Sequence, residues 1–328
     1  MKTVFIKDIK ENQKVASTFL VKQKNISRTK AGKPFLNLTL SDKTGEVIGR
    51  VWENAETLAQ RFQKDDFISL ESTSVTYQNA LQLNISALTR CPPSGIDITD
   101  YLPEAERDRD ELFDELKAII ENINNPYLKH LLDLFLQDQV FVNLFKSAPA
   151  AKKLHHVYIG GLLEHTVSVA NLILKIGTHY GSLNLDLLLT AGILHDIGKV
   201  HELTFSYSFD YSDAGRLLGH IVIGLEMITE KINSLPDFPV DLAIELKHLI
   251  ISHHGQYDYG SPKRPKTLEA FILFYLDDLD AKVNDLRSFT GIETDNHSRC
   301  AGYHKTLDRY IFKSLEAQDP LEPVEEED

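Results

Sequence analysis

The stretch DLLLTAGILHDIGK, residues 186–199, decides the fold reading. Leu188, Leu189 and Gly192 fall on one side of a helix rather than on alternate faces of a strand. The apolar run ends at His195-Asp196, with Gly198 available as a helix stop. A histidine and an aspartate at the end of such a run point inward, where a carboxylate is costly unless a cation compensates it.

Other histidines share this placement. His165 comes three residues after Leu162 and four before Val169, His253 four after Leu249, and His254 four after Ile250. A single inward histidine is ordinary core, hydrogen-bonded to a backbone carbonyl. Several of them with buried acids suit Mn, Fe, Co, Ni or Zn instead. The predicted helix from Leu268 to Leu286 adds the acids. Its opening LEAFILFY is apolar almost all round and is expected to be buried, yet Asp277, Asp278 and Asp280 follow at once. Asp278 has an ion-pair partner in Lys282 at the i, i+4 spacing. Asp277, four after Leu273, and Asp280, one turn further, compete for the inward role. The order H…HD…H…HH…D, formed by His165, His195-Asp196, His220, His253-His254 and Asp277, resembles the HD superfamily of metal-dependent phosphohydrolases. That resemblance gives the last position to Asp277.

At 328 residues the chain has room for two domains, and 42% hydrophobic with 25% charged residues is ordinary for a soluble globular protein. Cys91 and Cys300 have no metal or redox spacing, no apolar run approaches a membrane span, and MKTVFIKDIK lacks a signal-peptide core. The expected setting is therefore a reducing cytoplasm without a membrane partner. The net charge of −13 argues against nucleic acid until its distribution is examined. Residues 1–90 hold 14 Lys+Arg against 9 Asp+Glu, so the first segment is a candidate polyanion binder. Residues 314–328 read as a solvated acidic tail.

That first segment reads as five short strands: Val15 to Lys24, Pro34 to Leu40, Glu46 to Trp52, Phe67 to Tyr77 and Leu81 to Thr89. A hairpin turn falls at Asp42 to Gly45, and a short helix at Asn54 to Phe62. Five strands with a helix between the third and fourth look like an OB-fold, whose strand 2 to 3 surface is the usual oligonucleotide face. Alternation sends Leu36, Leu38, Leu40, Val47 and Val51 inward. Phe35 and Trp52 are left to stack bases, with Arg50, Lys24, Lys30 and Lys33 near phosphates. Trp52 has a second reading, as a plug at the barrel end.

Residues 91–109 form the expected linker, and helical patterning then runs from 110 to 313, broken at Asn124-Asn125-Pro126 and at Gly255 to Pro265. The fold class is multidomain: an all-β OB-fold barrel followed by an all-α HD domain. HHVYIGGLLEHT, LHDIGK, GRLLGH, SHHGQYDYGSPKRPKTLEA and LDDLDAK, together with the N-terminal barrel, closely resemble the YhaM family of 3′-to-5′ exoribonucleases over residues 3 to 290. The resemblance implies a Mn²⁺-dependent enzyme, with Fe, Co or Ni as alternatives, acting on single-stranded RNA, with single-stranded DNA as the alternative substrate. Two ions are expected. The first would be held by His165, His195, Asp196 and Asp277, and the second by Asp196 as a bridge with His220, His253 and His254. Adjacent histidines point about 100° apart on a regular helix, so joint ligation by His253 and His254 requires the helix to end there. Asp196 and Lys199 are the expected catalytic pair, Lys199 meeting a phosphate oxygen. His156, Arg216 and Lys263 are candidate substrate contacts. Two rival readings stand. A nucleotide or cyclic-dinucleotide phosphohydrolase is suggested by HHGQYDYGSP, which resembles the HD-GYP subgroup although Gly-Tyr-Pro itself is absent. A non-catalytic single-strand binder would be expected to have lost at least one of the ligand positions. The sequence allows homo-oligomerisation.

Overall fold

The computed structural model describes residues 2–29, 31–78, 80–92, 95–102, 105, 107–151, 158–204, 210–291 and 299–313. Lys30, His156 and the acidic segment 314–328 lie outside the described residues.

The basic N-terminal sequence forms strands β1 (Lys14–Arg28), β2 (Pro34–Asp42) and β3 (Gly45–Val51), helix α1 (Ala55–Ala59), and strands β4 (Phe67–Tyr77) and β5 (Ala80–Arg90). They close into a barrel in the order β1-β2-β3-β5-β4, the OB-fold arrangement. Alternation sets the interior: Leu36, Leu38, Leu40, Val47 and Val51 are all buried, with Leu36 opposite Val51 and Leu40 opposite Val47. The β2–β3 turn is tied by Asp42, whose carboxylate accepts from the Thr44 and Ile6 amides. Strand β1 runs further than expected, and a bulge between Val21 and Gln23 bends it around the barrel.

Helices follow: α2 (Arg109–Glu121), α3 (Pro126–Leu136), α4 (Gln139–Ser147), α5 (Gly161–His179), α6 (Leu185–Leu194) and the short α7 (Lys199–Glu202). Asn125 caps α3 by accepting from the Tyr127 and Leu128 amides, and Pro126 occupies the first turn, where its missing N–H costs nothing. After the small hairpin β6 (Leu203–Thr204) and β7 (Asp210–Tyr211) come α8 (Asp213–Leu217), α9 (Gly219–Ser234), α10 (Val240–Ser252) and α11 (Leu268–Gly291). A second hairpin, β8 (Cys300–His304) and β9 (Arg309–Phe312), follows. One apolar core spans α2 to α6 and α9 to α11, with Leu112, Leu131, Leu188, Ile228 and Leu249 among its members.

The second domain is helical, and a small hairpin follows its last helix: RYIF, rich in aromatic and β-branched residues, pairs with CAGYH after a turn at Asp308, which takes φ 52°. Helix α11 is buried on one side only. Ala270, Leu273, Phe274 and Leu276 face in, whereas Phe271 and Tyr275 are exposed, because the helix packs across the bundle surface instead of through it. Within the expected linker, residues 91–109, Tyr101 and Leu102 are buried with Leu20, Phe67 and Ile159 in a small core of their own. No helix among the described residues is long and apolar enough to cross a membrane.

Candidate metal centre and nucleic-acid face

Five helices bring the sequence-predicted ligands together. His165 projects from α5, His195 and Asp196 follow the last turn of α6, His220 starts α9, His253 and His254 follow α10, and Asp277 lies midway along α11. His165, His195, His253 and Asp196 are almost completely buried. The side chains fall into two trios able to hold a cation, His165/His195/Asp277 and His220/His253/His254. Asp196 stands between them. Its Oδ2 lies 3.4 Å from His195 Nε2 and 3.6 Å from His165 Nε2, and its Oδ1 lies 3.4 Å from His220 Nε2 and 3.7 Å from His253 Nε2. Asp277 Oδ1 closes the first trio at 3.2 Å from His165 Nε2 and 3.6 Å from His195 Nε2.

Each ring is oriented from behind. Nδ1 of His195 donates to the Gly192 carbonyl (2.8 Å), that of His253 to Ile250 (2.6 Å) and that of His254 to Tyr259 (3.0 Å). His165 Nδ1 donates to Asp280 (2.8 Å), and His220 Nδ1 to Glu202 (3.1 Å). With Nδ1 engaged in this way, every Nε2 faces the centre, as metal-ligating histidines require. Among the described residues, Asp196 Oδ1, His220 Nε2 and His253 Nε2 are buried with no hydrogen-bond partner. Buried polar atoms are rarely left so unless a ligand completes them.

The His253-His254 pair meets the condition set by its sequence. Helix α10 ends at Ser252, so the two rings leave the regular spiral and both face His220, with centroids 5.7 and 5.1 Å from it. Gly255 permits the exit with φ 75°, and a Cβ there would lie 2.4 Å from the Phe274 ring.

Charge states differ between the trios. Burial pushes His253 and His254 down, helped by their imidazole neighbours, so they stay neutral. Burial also opposes charge on Asp196 and Asp277, but Lys199 and His195 beside the first, and His165 and His195 beside the second, hold both well below the usual carboxylate range. At His165 and His195 burial is outweighed by carboxylates, Asp277 and Asp280 for the first and Asp196 and Asp277 for the second, and both move up, His195 to about 10.

Lys199 opens α7 buried, with Nζ 2.6 Å from Asp196 Oδ2. A cavity of about 240 Å³ opens beside the cluster. Its lining joins the cluster residues Asp196, Lys199, His253, His254 and Asp277 to Tyr259, Phe274, Asp278 and Ala281. A larger cavity of about 590 Å³ lies near Arg107, Arg109 and Lys146. Two of its cations are already paired, Lys146 with Asp110 and Arg107 with Glu115, and it holds no converging donors of the kind seen here. Arg216 is tied to Asp210 at 2.8 Å, and Lys263 is exposed; neither lines the smaller cavity. Sequence reasoning missed Glu202, which meets His220 only after folding, and the cavity residues Tyr259 and Phe274.

On the barrel, Phe35 and Trp52 stack with centroids 4.9 Å apart and planes at 29°. Trp52 is 37% exposed and donates to Asn84 at 3.3 Å, so it does not plug the barrel. Arg50 lies within 6 Å of three ring centroids, those of Phe35 (5.9 Å), Trp52 (5.8 Å) and Tyr77 (5.4 Å), the last a residue the sequence reading passed over. Lys33 is exposed at the rim. Lys24 departs from expectation. Its ammonium donates to the Ala59 and Phe62 carbonyls at 2.9 and 2.6 Å, because the carbonyls ending α1 attract a cation that its long stem can reach. On the expectation that this face stacks a base, Trp52→Ala should weaken single-strand binding roughly 5- to 160-fold, the ~1–3 kcal/mol of one stacked base, in a fluorescence-anisotropy titration. Unchanged affinity would show that this face does not carry the strand.

The HD domain family matches residues 162–282. The 3′-5′ exoribonuclease YhaM of Bacillus subtilis is 34% identical over 275 residues, covering 83% of this chain and 86% of that protein. The 3′-5′ exoribonuclease YhaM of Bacillus velezensis is 34% identical over 281 residues, with the same coverage. Among solved structures, the second OB-fold domain of replication protein A from Methanococcus maripaludis covers 27% of this chain and 94% of that one, at 18% identity and TM-score 0.23. The HD domain of the L. monocytogenes phosphodiesterase PgpH covers 49% of this chain and 74% of that one, at 22% identity and TM-score 0.28.

Proposed function

The chain belongs to the YhaM family of 3′-5′ exoribonucleases, and from that premise we propose that it removes nucleotides from the 3′ end of single-stranded RNA by metal-dependent hydrolysis at the HD centre. Its coarser class is that of a nuclease of the HD phosphohydrolase type. The observation that supports the metal reading best is Asp196, whose two oxygens face two separate trios of donors. Oδ1 of that carboxylate and Nε2 of His220 and His253 are buried without partners, which suits a divalent cation. Imidazole and carboxylate together suit the transition metals, and the family likeness favours Mn²⁺ among them.

His165, His195, Asp196 and Asp277 would hold one ion, and Asp196, His220, His253 and His254 the other. Two such ions supply an acidified water and a clamp on the oxygens of an in-line displacement at phosphorus. The chain's own groups do the rest. Asp280 and Glu202 hold His165 and His220 in place, and the carbonyls of Gly192, Ile250 and Tyr259 hold the remaining rings. Lys199 keeps its ammonium at the cavity wall, where it offers protons to a phosphate oxygen as charge builds there. Water adds to phosphorus, the bond from phosphorus to the 3′ oxygen of the penultimate nucleotide breaks, and that oxygen takes up a proton. The barrel face with Phe35, Arg50, Trp52 and Tyr77 would hold the strand upstream.

The test uses single-stranded RNA labelled at its 5′ end, incubated with full-length protein and Mn²⁺ or EDTA. A ladder that shortens with time in Mn²⁺ and stands still in EDTA is expected. Early labelled mononucleotide would mean attack from the 5′ end, and fragments of fixed internal size would mean an endonuclease. Either would overturn the proposed direction.

A further inference from the structure

Asp278 adjoins the candidate ligand Asp277, and its partner Lys282 accounts for only part of its chemistry. Lys282 Nζ binds Asp278 Oδ2 at 2.6 Å, but the pair is half exposed, which makes it a weak structural asset. The same carboxylate lines the 240 Å³ cavity beside the metal-facing residues. That space suits one sugar and base better than a length of strand, and it falls near the lower end of small-ligand pockets. If cleavage occurs at Asp196 and Lys199, what lies beyond the cleaved phosphate in this cavity is a single terminal unit.

Resting on the exonuclease reading above, we propose that this cavity seats the 3′-terminal nucleoside, with Asp278 accepting from its ribose hydroxyls and Tyr259 offering a ring to its base. Asp278 and Tyr259 have the chemistry for both tasks. Tyr259 closes a single 3-10 turn, Tyr257–Tyr259, and the residue is 63% exposed. Its carbonyl accepts from His254 Nδ1 at 3.0 Å, so the Tyr259 backbone is tied to His254 while its side chain is left accessible. An aromatic face suits any base, as an exonuclease acting on mixed sequence needs.

Asp278 supplies what a ring cannot, discrimination of the end. A terminal ribose presents two neutral hydroxyl donors, and an ionised carboxylate is purely an acceptor. A 3′-phosphate, or the phosphodiester of an internal nucleotide, presents negative charge at the same place and is repelled. Selection by repulsion as well as by attraction is a common source of specificity. On this assignment, both the requirement for an end and the choice of the 3′ end come from one side chain.

Three RNAs labelled at the 5′ end and differing only at the 3′ end test this with full-length, Mn²⁺-loaded protein: a ribose diol, a 2′-deoxy end with a free 3′-hydroxyl, and a 3′-phosphate. Wild-type protein is expected to start on the diol at least tenfold faster than on the 3′-phosphate, with the deoxy end between them. Asp278→Asn should narrow the diol-to-phosphate ratio at least tenfold, chiefly by raising KM for the diol. Lys282→Gln breaks the same ion pair and should keep the wild-type ratio. Equal wild-type rates on the two ends, an unchanged ratio in Asp278→Asn, or a ratio lost equally in Lys282→Gln would each overturn the assignment while metal-dependent shortening still stands. No shortening of any substrate would instead remove the exonuclease reading on which it rests.

Discussion

Asp196→Ala is expected to lose both metal ions and at least about 10³-fold in rate, because one carboxylate serves two sites. Its oxygens diverge, Oδ2 toward His165 and His195 and Oδ1 toward His220 and His253. Loss of a single well-placed stabilising group already costs roughly 10²–10³ in turnover, and here both trios lose their shared member. The variant also strands Lys199, a buried cation 2.6 Å from the deleted oxygen. Breaking one partner out of a buried ion pair destabilises by about 3–5 kcal/mol. Wild-type protein should melt higher as Mn²⁺ is added, by about 2.7 kcal/mol at a hundredfold excess over Kd, and Asp196→Ala should barely respond. Elemental analysis after dialysis, with melting curves at graded Mn²⁺, reads both effects. Two ions retained in an inactive variant would move the bridge to another residue, and an active variant without metal would remove metal from the mechanism.

How far the sequence carried these conclusions differs from element to element. The barrel was legible because a strand repeats every two residues: once Leu36, Leu38 and Leu40 are inside, the stacking of Phe35 and Trp52 on the outer face follows. Periodicity also gave the helices, and the break at Gly255 gave the end of α10 that the His253-His254 pair requires. It could not rank Asp277 against Asp280, one turn apart on the same face. The difference lies in which ring nitrogen each one meets: Asp277 reaches Nε2 of His165, and Asp280 reaches Nδ1 on the other side of the same ring. Glu202 was invisible for a similar reason, since it matters through contact with His220, eighteen residues away in sequence and adjacent only after folding. Lys24 failed in the other direction. A basic residue on the correct strand reads as a phosphate contact until the end of α1 is seen to claim it.

The two trios also draw on different parts of the chain, so they should respond differently to local damage. The first is held by α5, α6 and α11, which pack tightly through the apolar core, with α5 against α6 in close contact through Gly192 and Ile173. The second depends on where α9 lies against the turn that follows Asp196. The backbones meet closely there, at Gly198 against His220 and Gly224, while Ile197 and Val200 join the apolar core beside them.

Gly198→Ala should expose this dependence. The sequence offers Gly198 as a helix stop, but the residue takes φ −61° and ψ −19°, a conformation open to any residue, so it is not needed for backbone freedom. It is needed for space. A Cβ there would stand 2.0 Å from the His220 carbonyl oxygen and 2.6 Å from the Gly224 amide nitrogen. Both are backbone atoms of α9, so no side-chain rotation can relieve the clash, and the helix must retreat. His220 would then leave Asp196 Oδ1, now 3.4 Å away, and the His220/His253/His254 trio would open while His165, His195 and Asp277 keep their places. Overpacking of this kind costs about 1–3 kcal/mol and occasionally more, and a misplacement of about 1 Å at a reacting centre can cost roughly 10²-fold in rate. The expected result is a folded protein with a lower melting temperature, one bound ion instead of two, and about a hundredfold less activity. Stoichiometry is the informative reading, because general destabilisation would lower the melt without emptying one site selectively. A variant that melts like wild type and keeps two ions would place α9 further from the His195-Asp196 turn than the 2.0 Å clash requires.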